Sequence, residues 1–208
     1  MRYDSLILDI DGTLWDSRAL VAEGYNIQLR AEGYDHLCTD AETLKTLFGK
    51  VMTEIADALF SEIPVPERYD LMERCMATEN RYLEENPCHI GYEGIRQVLE
   101  ELAKKYRLFI VSNGQKGYPQ MAANKLGLAD LMDGYLSWGD TGKSKGQTIL
   151  QLMNAHNIQS AVYIGDTQGD LEACREANIP FIFTSFGFGQ PESYYAKVDQ
   201  FRDLLEVL

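Results

Sequence analysis

A doubly wound, parallel α/β sheet carrying an inserted all-helical cap is the fold this sequence predicts. Three observations predict it. Short runs that are apolar on both faces alternate with segments of 3.6-residue period, as a parallel sheet covered by helices requires. About seventy residues after the first such run show helical patterning and no strand. The chain length, 208 residues, suits one domain with a modest insertion at ~150 residues per domain.

Leu6-Ile7-Leu8 with Ile10 reads as the first buried strand, and Leu108-Phe109-Ile110-Val111 as the second. Ala161-Val162-Tyr163-Ile164 and, after Pro180, Phe181-Ile182-Phe183 follow in the same style, with Tyr135-Leu136 a weaker candidate. Apolar stripes mark the helices: Ile95, Val98, Leu99 and Leu102; Ile149, Leu152 and Met153; Phe201, Leu204, Leu205 and Leu208. Between Asp16 and Pro87 only helical stripes such as Val51, Ile55 and Leu59 occur. The expected division is therefore a core of residues 1–15 and 88–208 and a helical insertion of residues 16–87. Open α/β sheets bind ligands at the carboxyl ends of their strands. An insertion leaving the loop after the first strand is expected to stand over that edge as a lid.

Composition narrows the function. Acidic side chains outnumber basic ones by 32 to 19, giving a formal charge of −13. Such a surface repels nucleic acid and anionic membranes as a whole, while leaving room for a local basic pocket that takes a small anion. Cys38, Cys75, Cys88 and Cys174 form no C-x-x-C pair, which suits reduced thiols and gives no zinc spacing. The first apolar run is interrupted by Asp9 and Asp11, too short for a signal peptide, and nowhere do ~20 apolar residues run together. A cytoplasmic protein, monomer or homodimer, is expected.

The chemistry lies in carboxylates at strand ends. Asp9-Ile10-Asp11-Gly12-Thr13 closes the first strand, and residues two apart in extended backbone share a direction. Asp166 follows Ala161–Gly165, and Asp170 comes four residues later, on one face of the helix that begins there. Two carboxylates ~4 Å apart repel by about 4 kcal/mol at an effective dielectric of 20. Domains are stable by only ~5–15 kcal/mol. Such a cluster needs a cation, shifted pKa values, or both. With oxygen donors and no His or Cys beside them, a hard ion fits, Mg²⁺ first. Asp170, taken alone, reads equally well as a helix-capping residue.

Donors complete the set. Ser112 and Asn113 end the second strand in IVSNG, where a hydroxyl and backbone N–H groups can hold phosphate oxygens. Lys143 and Lys145 in TGKSKGQTI precede a helix and offer a compact positive charge. Two other phosphate or metal motifs fail on spacing. Gly142-Lys143-Ser144 has Ser137 where a P-loop needs its first glycine, and Leu20 stands where an EF-hand starting at Asp9 needs glutamate.

Taken in order, DIDGT at 9–13, SN at 112–113, lysine before a helix at 143–145 and GDTQGD at 165–170 resemble the four signature stretches of the haloacid dehalogenase-type phosphohydrolases. The resemblance spans essentially the whole chain, with a Rossmann-like core and the insertion matching the family's helical cap. It implies Asp9 as nucleophile forming an aspartyl-phosphate. It implies Asp11 as the acid that protonates the leaving group and then the base that activates water. Mg²⁺ would be held by the Asp9 carboxylate, the Asp11 backbone carbonyl and Asp166. Ser112, the N–H of Asn113 and a lysine would bind the transferring oxygens, with Asp170 orienting that lysine or a metal-bound water. Lys145-Gly146 resembles the lysine-glycine form of the third motif, whereas Lys143 has the spacing of its lysine-proline form without the prolines. Lys145 is preferred because it stands closer to the helix start.

Within the superfamily, Asp11 argues against true dehalogenases, whose halide leaves without a proton. The mutase branch usually carries a cap histidine soon after the first motif, and Val21 to Tyr25 contains none. Leu47-Phe48-Gly49 and Phe186-Gly187-Phe188-Gly189 resemble segments of the phosphoglycolate phosphatase-like branch. The expected substrate is thus a small phosphorylated metabolite: phosphoglycolate-like, a sugar phosphate or a nucleotide. A phosphosugar mutase and a non-catalytic, partner-binding protein on the same scaffold are the alternatives.

Overall fold

Ser5–Leu8 forms the first strand, β1, with every residue buried. It occupies the middle of a six-stranded sheet in the computed structural model, which is described over residues 3–208. The described chain divides into two compact units, a helical one of Ser17–His89 and an α/β one made of the segments on either side.

The helical unit contains α1 (Arg18–Ala31), α2 (Ala41–Lys45), α3 (Met52–Leu59) and α4 (Glu67–Glu85). α1 and α4 pack together at Gly24, where a Cβ would come within 2.7 Å of the Glu79 Cα, so the missing side chain permits the close approach. Asn26 ties the turn after α1 by a reciprocal pair, its Nδ2 donating to the Thr39 carbonyl and its Oδ1 accepting from the Thr39 N–H, both at 2.8 Å.

The α/β unit resumes with α5 (Ile95–Ala103), whose Ile95, Val98, Leu99 and Leu102 are all buried. Then come β2 (Arg107–Ser112), α6 (Tyr118–Lys125), β3 (Gly134–Ser137), α7 (Trp138–Thr141), α8 (Lys145–Ala155), β4 (Ala161–Gly165), α9 (Gln168–Ala177), β5 (Phe181–Thr184), β6 (Ala196–Val198) and α10 (Leu204–Val207). All paired strands are parallel, in the order β3-β2-β1-β4-β5-β6. The order reverses between β1 and β4, which is where such sheets open a crevice at their carboxyl edge. Ile7, Phe109, Val111, Tyr163 and Phe181 pack on one face against Ile149 and Leu152 of α8 and Leu171 and Cys174 of α9.

Two details depart from the sequence reading. β6 is a short edge strand with Lys197 at its centre and no apolar run to announce it. The stripe Phe201 to Leu208 is a 3₁₀ turn, Phe201–Asp203, followed by the single turn of α10, with Leu205 exposed. Eight residues are too few to sustain a helix without packing on all its turns.

Candidate active site

Leu8 lies level with Ile110 of β2 and Ile164 of β4, so the residues that follow each strand emerge side by side. Asp9 continues the ladder by one bond, its N–H donating to the Ile164 carbonyl at 2.9 Å. The chain then turns. The N–H groups of Thr13, Leu14 and Trp15 converge on the Ile10 carbonyl, and Gly12 adopts φ 83°, a left-handed conformation that glycine takes without strain. A Cβ on Gly12 would lie 2.3 Å from Asp166 Oδ2, so a second reason for glycine is room for that carboxylate.

Asp9, Asp166 and Asp170 each offer a carboxylate oxygen within 4.8 Å of the other two. All three are buried. Lys145, the first residue of α8, reaches into the group, with Nζ donating to Asp170 Oδ1 at 2.6 Å and to Asp9 Oδ1 at 2.9 Å. Ser144 caps α8, and Glu176 of α9 fastens it through the Ser144 hydroxyl and the Gln147 amide, both at 2.8 Å. Lys143 is exposed and donates instead to Gln151 Oε1.

Asp170 does two jobs. Its Oδ2 accepts from the N–H groups of Asp166 and Thr167 and from the Thr167 hydroxyl, while Thr167 Oγ1 accepts from the Asp170 N–H. That is a capping box at the start of α9. Its other oxygen anchors Lys145. The capping reading and the lysine-orienting reading are therefore both realised in one side chain.

The electrostatics follow from burial. Burial pushes the Asp9 carboxyl up to about 7, opposed by Lys145 and reinforced by Asp170 and Asp11. Asp166 is raised well above the usual carboxylate range, first by burial and then by Asp170 and Asp9. Burial raises Asp170 too, but the Lys145 charge and the Thr167 donors outweigh it and hold this carboxyl low. Burial alone would depress the Lys145 ammonium; Asp170 and Asp9 reverse this and keep it charged. Asp170 is thus the standing counter-ion of Lys145. Asp9 and Asp166 are the two acids still short of positive charge.

Asp166 shows the shortfall at atomic level. Oδ2 accepts from the Phe188 N–H at 2.6 Å, whereas the buried Oδ1 has no hydrogen-bond partner. A buried polar atom left without a partner costs about 1–3 kcal/mol, and a charged one more. All-oxygen donors with one such orphan fit a hard divalent cation held by Asp9 and Asp166.

The remaining expected residues stand at the same edge. Ser112 ends β2, buried, its Oγ accepting from the Gly114 N–H at 3.1 Å, and the half-buried Asn113 follows it. The Asp11 carboxylate does not join the group of three. Its Oδ1 accepts from Trp15 Nε1 at 2.8 Å and from the Tyr118 hydroxyl at 2.9 Å, because the turn at residues 10–13 breaks the extended backbone that would have kept it parallel to Asp9.

Sequence reasoning missed several participants. Tyr163, fully buried in β4, donates to the Val111 carbonyl at 2.9 Å and lies 3.3 Å from Asp9 Oδ1, with its ring beneath Lys145 Nζ. A hydroxyl in an otherwise aliphatic strand was the available signal. Phe188 acts through its backbone N–H, and Gly187 packs so closely that a Cβ would lie 2.3 Å from Asp166 Cβ. Tyr118 comes from a segment 107 residues away from Asp11, and no local pattern points to it.

Comparison with known proteins identifies the family. A phosphoglycolate phosphatase of Rhodobacter capsulatus is 25% identical over 191 residues, covering 88% of this chain and 85% of that protein. A phosphoglycolate phosphatase of Agrobacterium fabrum is 29% identical over 191 residues, covering 88% and 80%. In fold the chain is similar to a predicted phosphoglycolate phosphatase from Haemophilus somnus 129PT, with TM-score 0.82 at 19% identity, over 100% of this chain and 98% of that one. A family model described as haloacid dehalogenase-like hydrolase matches residues 6–184. With the matched segment running from β1 to the end of β5, and the buried acids and lysine inside it, the chain belongs to the haloacid dehalogenase-like hydrolases.

Proposed function

We propose that this chain is a Mg²⁺-dependent phosphatase that releases phosphate from a small phosphorylated metabolite through an aspartyl-phosphate on Asp9. The observation that carries the reading is the buried Asp9, gripped by Lys145 and set beside Asp166, whose Oδ1 lacks a partner. Asp9, the Asp11 backbone carbonyl and Asp166 would hold the ion. When bound, it supplies the positive charge that keeps Asp9 ionised and lets a carboxylate approach a phosphate.

The chain's own residues do the rest. The Asp9 carboxylate attacks phosphorus as the ester P–O bond breaks, and Asp11 gives its proton to the departing oxygen. Asp11 then takes a proton from water as that water attacks the phosphorus of the aspartyl-phosphate, freeing Asp9 and inorganic phosphate. Ser112, the Asn113 N–H and Lys145 bind the phosphoryl oxygens, and a buried cation there strengthens as charge develops. Asp170 holds the ammonium in place. The unit Ser17–His89 enters the chain directly after the Asp9–Asp11 loop, and from that point of insertion we assign it the role of cap.

Phosphoglycolate leads the substrate candidates because the named relatives act on it, followed by sugar phosphates and nucleotides. Among the described residues no helix is long and apolar enough to cross a membrane, and the free thiols Cys38, Cys75, Cys88 and Cys174 suit a reducing cytoplasm. The test is a panel of phosphorylated metabolites and p-nitrophenyl phosphate with Mg²⁺. Phosphate release lost in Asp9→Asn is expected. Isomerisation of a hexose phosphate in place of release would favour a mutase, and no turnover of any ester would favour a non-catalytic protein.

A further inference from the structure

We infer that Trp15 and Tyr118 are a paired set of positioning residues that fix which oxygen of Asp11 carries the transferred proton, equipping the site for phosphate esters of unactivated alcohols. This rests on the reading of Asp11 as acid and base given above. Both donors converge on one atom: the indole Nε1 lies 2.8 Å from Asp11 Oδ1 and the Tyr118 hydroxyl 2.9 Å from the same oxygen.

Neither donor is loose. Trp15 is fully buried and Tyr118 is 3% exposed, and their rings meet edge to face with centroids 6.0 Å apart. The Trp15 backbone is clamped on both sides, its carbonyl accepting from the Gly12 N–H at 3.0 Å and its strand-like bridge reaching Gly91. Tyr118 opens α6 after the left-handed Gly117, and Gly114 makes room for its ring, since a Cβ there would lie 2.9 Å from Tyr118 Cδ1. The slot for Tyr118 is therefore built by the turn that follows Ser112 and Asn113.

The consequence is a matter of donor inventory. An indole N–H donates and never accepts, so Asp11 Oδ1 must remain an acceptor in either protonation state. With two donors already on Oδ1, the neutral acid keeps that atom as its carbonyl oxygen at least cost and carries the proton on Oδ2. In the first half-reaction the Oδ2–H bond breaks, the proton passes to the ester oxygen, and the P–O bond to the alcohol breaks as the Asp9 O–P bond forms. In the second half-reaction Oδ2 recovers a proton from the attacking water. Holding the acid in one orientation removes a search from the transition state, and a misplacement of 1 Å costs about a hundredfold in such steps. An alkoxide needs that proton to leave, whereas a nitrophenolate leaves readily without it.

The experiment compares kcat/KM for an alkyl phosphate and for p-nitrophenyl phosphate in wild type, Tyr118→Phe and Trp15→Phe, with Mg²⁺. This parameter reports the first phosphoryl transfer, and the ratio of the two values within one preparation cancels any fraction of inactive protein. The expected result is that the alkyl-to-aryl ratio falls at least tenfold in both variants, as it does in Asp11→Asn. Equal losses on both esters, or no loss on either, would overturn the positioning role. A wild-type protein that cleaves neither ester, or an Asp11→Asn variant that keeps the wild-type ratio, would instead sink the acid–base reading on which it rests.

Discussion

Lys145 Nζ stands 2.6 Å from Asp170 Oδ1, and both side chains are almost wholly withdrawn from solvent, at 5% and 0% exposure. An ion pair so placed is a poor source of net stability, because desolvating two charges offsets most of their attraction. Removing one partner is another matter. Asp170→Ala leaves the Lys145 ammonium facing only Asp9 and strips the capping box from α9. We predict a loss of about 3–5 kcal/mol in urea unfolding, the range for a broken buried pair. Phosphatase turnover falls with it, and unchanged stability would show that the pair is not buried in solution.

The raised Asp9 carboxyl predicts how the metal-free protein responds to pH. Its folded pKa, about 7, lies above the ordinary 3.8. Below 3.8 both folded and unfolded chains hold the proton; between the two values only the folded chain does. Stability from this group is therefore complete at low pH and is lost as pH rises through that window. Asp166 acts in the same direction, while the lowered Asp170 acts oppositely and loses its contribution only in stronger acid. Thermal unfolding of metal-free wild type should drop from pH 5 to pH 7.5 relative to Asp9→Asn, by on the order of a few kcal/mol at 1.36 kcal/mol per unit. A parallel pH course for the two proteins would contradict the shift.

Mg²⁺ should reverse that loss. A ligand bound only by the folded state stabilises it, by roughly 2.7 kcal/mol at a hundred times its dissociation constant. The expected outcome is a rise in unfolding temperature with Mg²⁺ in wild type that disappears in Asp166→Asn. Gly187→Ala offers a finer probe, since its Cβ would press within 2.5 Å of Asp166 Oδ2 and of the Gly12 carbonyl oxygen. Displacing a ligand this way should weaken Mg²⁺ binding by ~10–100-fold, as loss of supporting contacts around a metal site does. Titration calorimetry on the two proteins decides it.

How much of this was legible beforehand follows a physical rule. Asp9, Asp166, Asp170 and Lys145 could be found because each stands at the end of a strand or the start of a helix, and parallel strands bring such ends to one edge. Backbone periodicity is enough to place them. Tyr118 and Phe188 were not legible, since their contacts to Asp11 and Asp166 span 107 and 22 residues and depend on loop conformation. The direction of the Asp11 side chain was lost for the same reason: the chain bends at Ile10, whose carbonyl takes the N–H groups of Thr13, Leu14 and Trp15, and the alternation that would have aligned Asp11 with Asp9 ends there. β6 escaped because an edge strand of three residues with a lysine at its centre carries no buried run.

The two lysines of TGKSKG give the sharpest contrast. Sequence spacing allowed either one, yet Lys143 donates to Gln151 at an exposed position while Lys145 is 6% exposed and bonded to both Asp9 and Asp170. Removing an exposed amine whose partner is a neutral amide should alter kcat/KM by less than about twofold, and stability within ±0.5 kcal/mol, as surface substitutions usually do. Lys145→Met keeps a similar aliphatic length but deletes the charge that faces both carboxylates and, in the proposed reaction, the phosphoryl group. Loss of such a preorganised cation should lower kcat by at least about 10²–10³-fold. Parallel assays of Lys143→Ala and Lys145→Met on p-nitrophenyl phosphate with Mg²⁺ check both halves. Should Lys143→Ala prove the more damaging of the two, the chain between Gly142 and α8 must shift during turnover, and the lysine seen against Asp9 here would not be the one that meets the phosphate.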